Sequence, residues 1–81
     1  MDKEPIKVLY RKLGKEKALG LAYKEARTIH IDSRLKGLEK LTVLIHEIMH
    51  VQQPGWPEIR VEGNAKELAA VLWDNNIRII E

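Results

Sequence analysis

The spacing of apolar residues changes character once along this chain. Before about residue 32 the period is close to two. Ile6-Lys7-Val8-Leu9-Tyr10 opens with apolar–polar alternation, and Gly14 among charged neighbours marks a turn. Ala18 to Tyr23 mixes small and apolar residues, with Gly20 reading as a bulge or a point of close backbone approach. Arg27-Thr28-Ile29-His30-Ile31-Asp32 alternates cleanly, putting Ile29 and Ile31 on one face and Thr28 and His30 on the other. Three strands joined by short turns predict an antiparallel meander. From about Leu38 the period turns helical: Leu38, Leu41, Leu44, Ile45, Ile48 and Val51 recur, and the segment is apolar on nearly every side, the mark of a buried helix. Pro54-Gly55 ends it. Pro57 opens a second helix with Val61, Ala65, Leu68, Ala69 and Leu72 on one stripe. Asp74-Asn75-Asn76 tolerates the left-handed turn that closes it, and Ile77 to Ile80 fits either a short strand or a packed tail.

The predicted layout is one domain over residues 1–81, with strands within about 5–32, a helix over about 36–53 and a second over about 57–74. Its class is α+β: a small antiparallel sheet of about three strands followed by a two-helix hairpin packed on one face.

Composition adds two constraints. A chain of 81 residues builds a core giving only a few kcal/mol of net stability, and a bound metal is one of the few devices that adds to it. The absence of cysteine removes disulfides and thiolate sites, so any metal must be held by imidazole and carboxylate. Three histidines make that search short. The formal net charge is +2, from 14 basic and 12 acidic residues interleaved along the chain, and this mixed surface argues against a nucleic-acid partner. Met1 to Pro5 is charged with no apolar stretch behind it, and no apolar run nears the roughly 20 residues that span a bilayer. The expected setting is cytoplasmic, with no membrane association.

The chemistry concentrates in His46-Glu47-Ile48-Met49-His50. Four residues apart on a helix, the two histidines project from one face a turn apart and can grip one ion. Glu47 points to the side of that pair. Zinc lowers the pKa of a bound water, and Glu47 is placed to take its proton as general base. The plain alternative is a pair of core histidines satisfied by backbone or carboxylate, but two histidines and a glutamate on a buried helix need more explanation than that. Met49 reads as packing. A catalytic zinc wants a third protein ligand, and residues 51–60 hold no histidine. On the second helix Glu58 and Glu62 both fall on the apolar stripe, whereas Glu67 points away. A first-turn acid favoured by the helix dipole accounts for either one without a metal. Loop length favours Glu62, and the choice stays open on the residues alone.

From Thr28 to Trp73 the chain resembles the small zincin-like domains of phages and prokaryotic genomes, minimal gluzincins distantly related to thermolysin. The likeness rests on Ile29-His30-Ile31-Asp32, on Leu41-Thr42-Val43-Leu44-Ile45 leading into the His46–His50 motif, on Glu58-Ile59-Arg60-Val61, and on Leu68-Ala69-Ala70-Val71-Leu72-Trp73, in that order. It implies a metallopeptidase with one zinc ion on His46, His50 and Glu58, Glu47 as general base, and a peptide or protein substrate. It also implies that the strand Thr28, Ile29, His30, Ile31, Asp32 lies at the sheet edge, where an extended peptide could add on. Larger gluzincins carry a downstream His or Tyr that stabilises the oxyanion. After His50 this chain has neither, leaving Arg60, Asn64 and Asn75 as donors to consider.

Two further classes compete with the hydrolase. In one, zinc is structural or regulatory and the chain is a weakly active or inactive module for protein interaction. In the other it is a basic nucleic-acid accessory, which the scattered charges disfavour. Trp56 reads as cover at the edge of the metal site and Trp73 as core packing. A homodimer is a further way for so small a chain to complete its core.

Overall fold

The computed structural model describes residues 4–81, so Met1–Lys3 of the charged N-terminal stretch lie outside the described residues. Three strands come first: β1 (Lys7–Arg11), β2 (Gly20–Tyr23) and β3 (Thr28–Asp32), with a 3-10 turn at Gly14–Glu16 between the first two. Helices α1 (Gly37–Gln52) and α2 (Glu58–Asp74) follow. The class is α+β, a three-stranded sheet and then a helical hairpin. Ile77–Ile80 forms no strand; Ile79 packs against the inter-helix core instead.

The sheet is mixed, and this departs from the expected meander. Its order is β1-β3-β2, with β2 antiparallel and β1 parallel to β3. Residues 12–19 step from β1 across the gap that β3 later fills. Thr28–Asp32 is therefore the central strand and not an edge. The physical reason lies in its side chains. Ile29 and Ile31 are fully buried beneath Val43, Leu44, Ile48 and Val51 of α1, and this most buried strand takes the central place, paired along both of its edges. The short β2, which carries Gly20, takes an edge.

Among the described residues α1 is the one helix that packs on the sheet. Its second face meets α2 through Leu41 and Ile45 against Ala65 and Ala69, with Met49, Leu72 and Trp73 around them. The alanines let the two helix axes come close. The hairpin thus stacks as sheet, α1, α2, and does not lie flat on the sheet with both helices. At the end of β3 the buried Asp32 carboxylate accepts from the Leu13 backbone N–H (3.4 Å), from the Arg34 N–H (2.9 Å) and from the Arg34 guanidinium (2.7 and 3.0 Å). That clasp ties the 12–19 crossing to the turn leading into α1.

Candidate metal centre

Helix α1 sets two imidazoles on one face. The Nε2 atoms of His46 and His50 are 3.2 Å apart. Gln53 closes the helix, and after a five-residue connection the first residue of α2 is Glu58. Its carboxylate reaches back over both rings: Oε2 lies 3.0 Å from His50 Nε2 and Oε1 closer still to His46 Nε2. One ligand atom from each of His46, His50 and Glu58 falls within 4.8 Å of the others. Around a tetrahedral ion with bonds of about 2.0–2.1 Å, neighbouring ligand atoms sit roughly 3.3 Å apart. The His46–His50 and His50–Glu58 separations are near that spacing, Glu58 stands closer than that to His46, and two nitrogens with one carboxylate form a donor set suited to zinc with a position left open.

Glu62, the alternative third ligand, turns elsewhere. It pairs with Lys66 at 2.9 Å on the exposed side of α2. That hydrogen bond, with the Lys66 charge behind it, lowers the Glu62 pKa. Of the two glutamates the structure brings only Glu58 onto the imidazoles.

Glu47 differs from every other carboxylate among the described residues. Only 8% of it is exposed, and no lysine or arginine pairs with it among the described residues. Burial pushes its carboxyl above the usual value; His46 pulls it back and the nearby Glu58 charge raises it further. Its close neighbour is the backbone of β2. A Cβ placed on Gly20 would fall 2.7 Å from Glu47 Cγ and 2.9 Å from both Glu47 Oε2 and Val43 Cγ1. Any side chain there would force Glu47 or Val43 to move, so the glycine is what allows the edge strand to close against this carboxylate. The sequence marked Gly20 as a place of close approach; what approaches it is Glu47.

An open cavity of about 400 Å3 spans the cluster, lined by His46, Glu47, His50 and Glu58 on one side and Gly20, Leu21, Ala22 and Lys24 on the other. No residue pattern singles out Lys24, because its place depends on β2 being the edge strand. The other expected residues lie apart. His30 is on the sheet face away from α1, its Nδ1 accepting from Arg11 Nε (2.9 Å) and its ring against Tyr23. Asn64 and Asn75 donate to carbonyls of their own helix, and Arg60 stacks on Trp56. None of these three is placed as an oxyanion donor.

The family model of the IrrE N-terminal-like domain (Peptidase_M78) matches residues 1–54, two thirds of the chain. The chain belongs to this family. No curated protein and no solved structure matches it. The IrrE N-terminal-like match takes in the sheet and α1, with His46, Glu47 and His50, and stops before Glu58. The zincin-like peptidase character thus rests on the matched part, and the third corner of the cluster on geometry. No helix among the described residues is long and apolar enough to cross a membrane.

Proposed function

We propose that this chain is a zinc-dependent hydrolase of the gluzincin type, cleaving peptide bonds, with one zinc ion held by His46, His50 and Glu58. The observation that carries the reading is the convergence of these three side chains beside a buried carboxylate and an open cavity. When bound, zinc supplies Lewis acidity toward a carbonyl and makes water easier to deprotonate. Glu47 takes the proton from the attacking water and returns it to the leaving amine, a task helped by burial, which raises the carboxyl above its ordinary value. Lys24 lends positive charge to the developing oxyanion from across the cavity. The substrate is an extended peptide laid along β2, whose outer edge borders the cavity and offers main-chain hydrogen bonds.

Metal content and peptide cleavage together test this. The purified chain should take up one zinc; His50→Ala and Glu58→Ala should weaken it by at least about tenfold, and Glu62→Ala should leave it unchanged. A zinc-loaded chain that cleaves no member of an unfolded-protein panel would instead favour the second reading, an interaction module in which zinc holds α1 to α2. The specific observation behind that alternative is the engagement of Asn64 and Asn75 with their own helix.

A further inference from the structure

The sheet has a covered face and a bare one. Helix α1 lies on the Ile29 and Ile31 side, and no other element packs on the sheet among the described residues. Strand register fixes what the bare side carries. Leu9 of β1 and Leu21 of β2 flank His30, and Lys7 and Tyr23 flank Thr28 in the next row. Leu9 is 52% and Tyr23 44% exposed, and neither they nor Leu21 belong to the two packed clusters of the core. Apolar side chains thus cross the sheet in contact with water. His30 accepts from Arg11 through Nδ1, which places its proton on Nε2, a donor with no acceptor among the described residues.

The charge around this face is one-sided. Between Lys7 and Arg27 seven basic residues stand against Glu16 and Glu25. Glu16 answers Arg11 at 3.1 Å, and the other cations of that stretch form no ion pair among the described residues. We infer that the bare face docks an acidic amphipathic helix of a partner protein, its apolar side on Leu9, Leu21 and Tyr23 and its carboxylates beside Lys7 and Arg11. The inference is independent of the hydrolase reading, because the metal cluster lies on the α1 side of the sheet. Width and charge select this occupant. Three strands at a spacing of about 4.8 Å give a surface about one helix wide, as α1 shows on the opposite face. Acidic groups complement the surrounding cations, and apolar ones cover what water now touches. A second copy would bring the same cations to a face-to-face contact, and like charges set against each other cost several kcal/mol in general. A single-stranded nucleic acid would look for stacked ring surfaces, but the Tyr23 and His30 rings are tilted by 59° to each other and Leu9 has no π-face.

The test uses the full metal-free chain and a labelled 18-residue helical peptide with leucines on one face and glutamates on the other. A lysine-for-glutamate version and a twelve-nucleotide oligo-dT serve as competitors. The acidic peptide should bind at least about tenfold more tightly than either, and its affinity should fall as salt is raised. Leu9→Asp and Lys7→Glu should each weaken it by about fivefold or more. Both variants should keep the parental melting temperature to within a few degrees and the parental zinc uptake, which separates a lost surface from a lost fold. Methyl shifts on titration should fall on Leu9 and Leu21, and not on exposed Ile59 and Val71. Equal binding of the acidic and basic peptides, tighter binding of oligo-dT, or binding that neither substitution changes overturns the inference. So does a chain that self-associates through this face, shown by a dimer in sedimentation that Leu9→Asp abolishes.

Discussion

Among the described residues two carboxylates are buried, and they have opposite surroundings. Asp32, at the end of β3, is met by two backbone N–H groups and a guanidinium. The Arg34 side chain above all holds it far below the ordinary carboxylate range. Glu47, in the middle of α1, has an edge strand pressed against it, no cationic partner, and a carboxyl pushed up by burial. A buried charge that is fully paired serves the fold. A buried charge kept without a partner costs stability and is kept for another use. The contrast sets a carboxylate spent on the fold beside one left free for the chemistry proposed above, without reference to any motif.

The sharpest way to break that contrast is to neutralise each carboxylate. Glu47→Gln should cut peptide hydrolysis by about 10²–10⁴-fold while zinc content stays at the parental level; a variant that cleaves as fast as the parent ends the general-base assignment. Asp32→Asn should do the reverse, lowering thermal stability while metal content of the folded fraction is retained.

Gly20→Ala comes next in size. In the parent it should destabilise by about 1–3 kcal/mol, the usual cost of forcing a methyl into a filled space. In a Glu47→Ala background the cost should shrink by about 1 kcal/mol or more, because one of the two clashing side chains is gone. In an Asp32→Asn background it should not change. Equal costs in all three backgrounds would mean that β2 and Glu47 are not in contact.

Acid titration of the metal-free chain sharpens the comparison further. Asp32 has a depressed folded pKa, so its stabilisation is present above its unfolded value of about 3.9 and is lost as pH falls through the folded value. The gap between parent and Asp32→Asn should therefore close in strong acid. Glu47 has a raised folded pKa, so its cost appears as pH rises past its unfolded value of about 4.3. Glu47→Gln should match the parent in acid and become the more stable of the two toward neutrality, by chemical denaturation at a series of pH values. The smallest effect belongs to Glu62→Ala, which breaks an exposed pair and should change stability by less than about 0.5 kcal/mol.

The parts of this site legible in the sequence are those set by one helix. His46 and His50 meet because four residues make a turn, and Glu47 is adjacent by the same rule. The alternation in Thr28–Asp32 also gave the faces correctly, with Ile29 and Ile31 inward and His30 outward. It could not give the neighbours. Period two says which way a side chain points and nothing about which strand lies alongside, so the central place of β3 and the edge place of β2 were invisible. On the residues alone Glu58 and Glu62 stay open for a related reason, and only the family likeness favours Glu58, the one found at the imidazoles. Both lie on the same stripe of the wheel, and the five residues that turn α1 into α2 decide which one reaches the imidazoles.

Glu58 arrives at the cluster from the water side, with 64% of its side chain exposed. Two of the three corners are thus sheltered on one helix, and the third is an exposed arm at the start of α2. An ion held this way should exchange quickly, since release needs one carboxylate to rotate on the nanosecond scale of surface side chains and no opening of the core. Chelators would strip it from the folded chain, and the rate of stripping would follow the arm and not the stability of the fold.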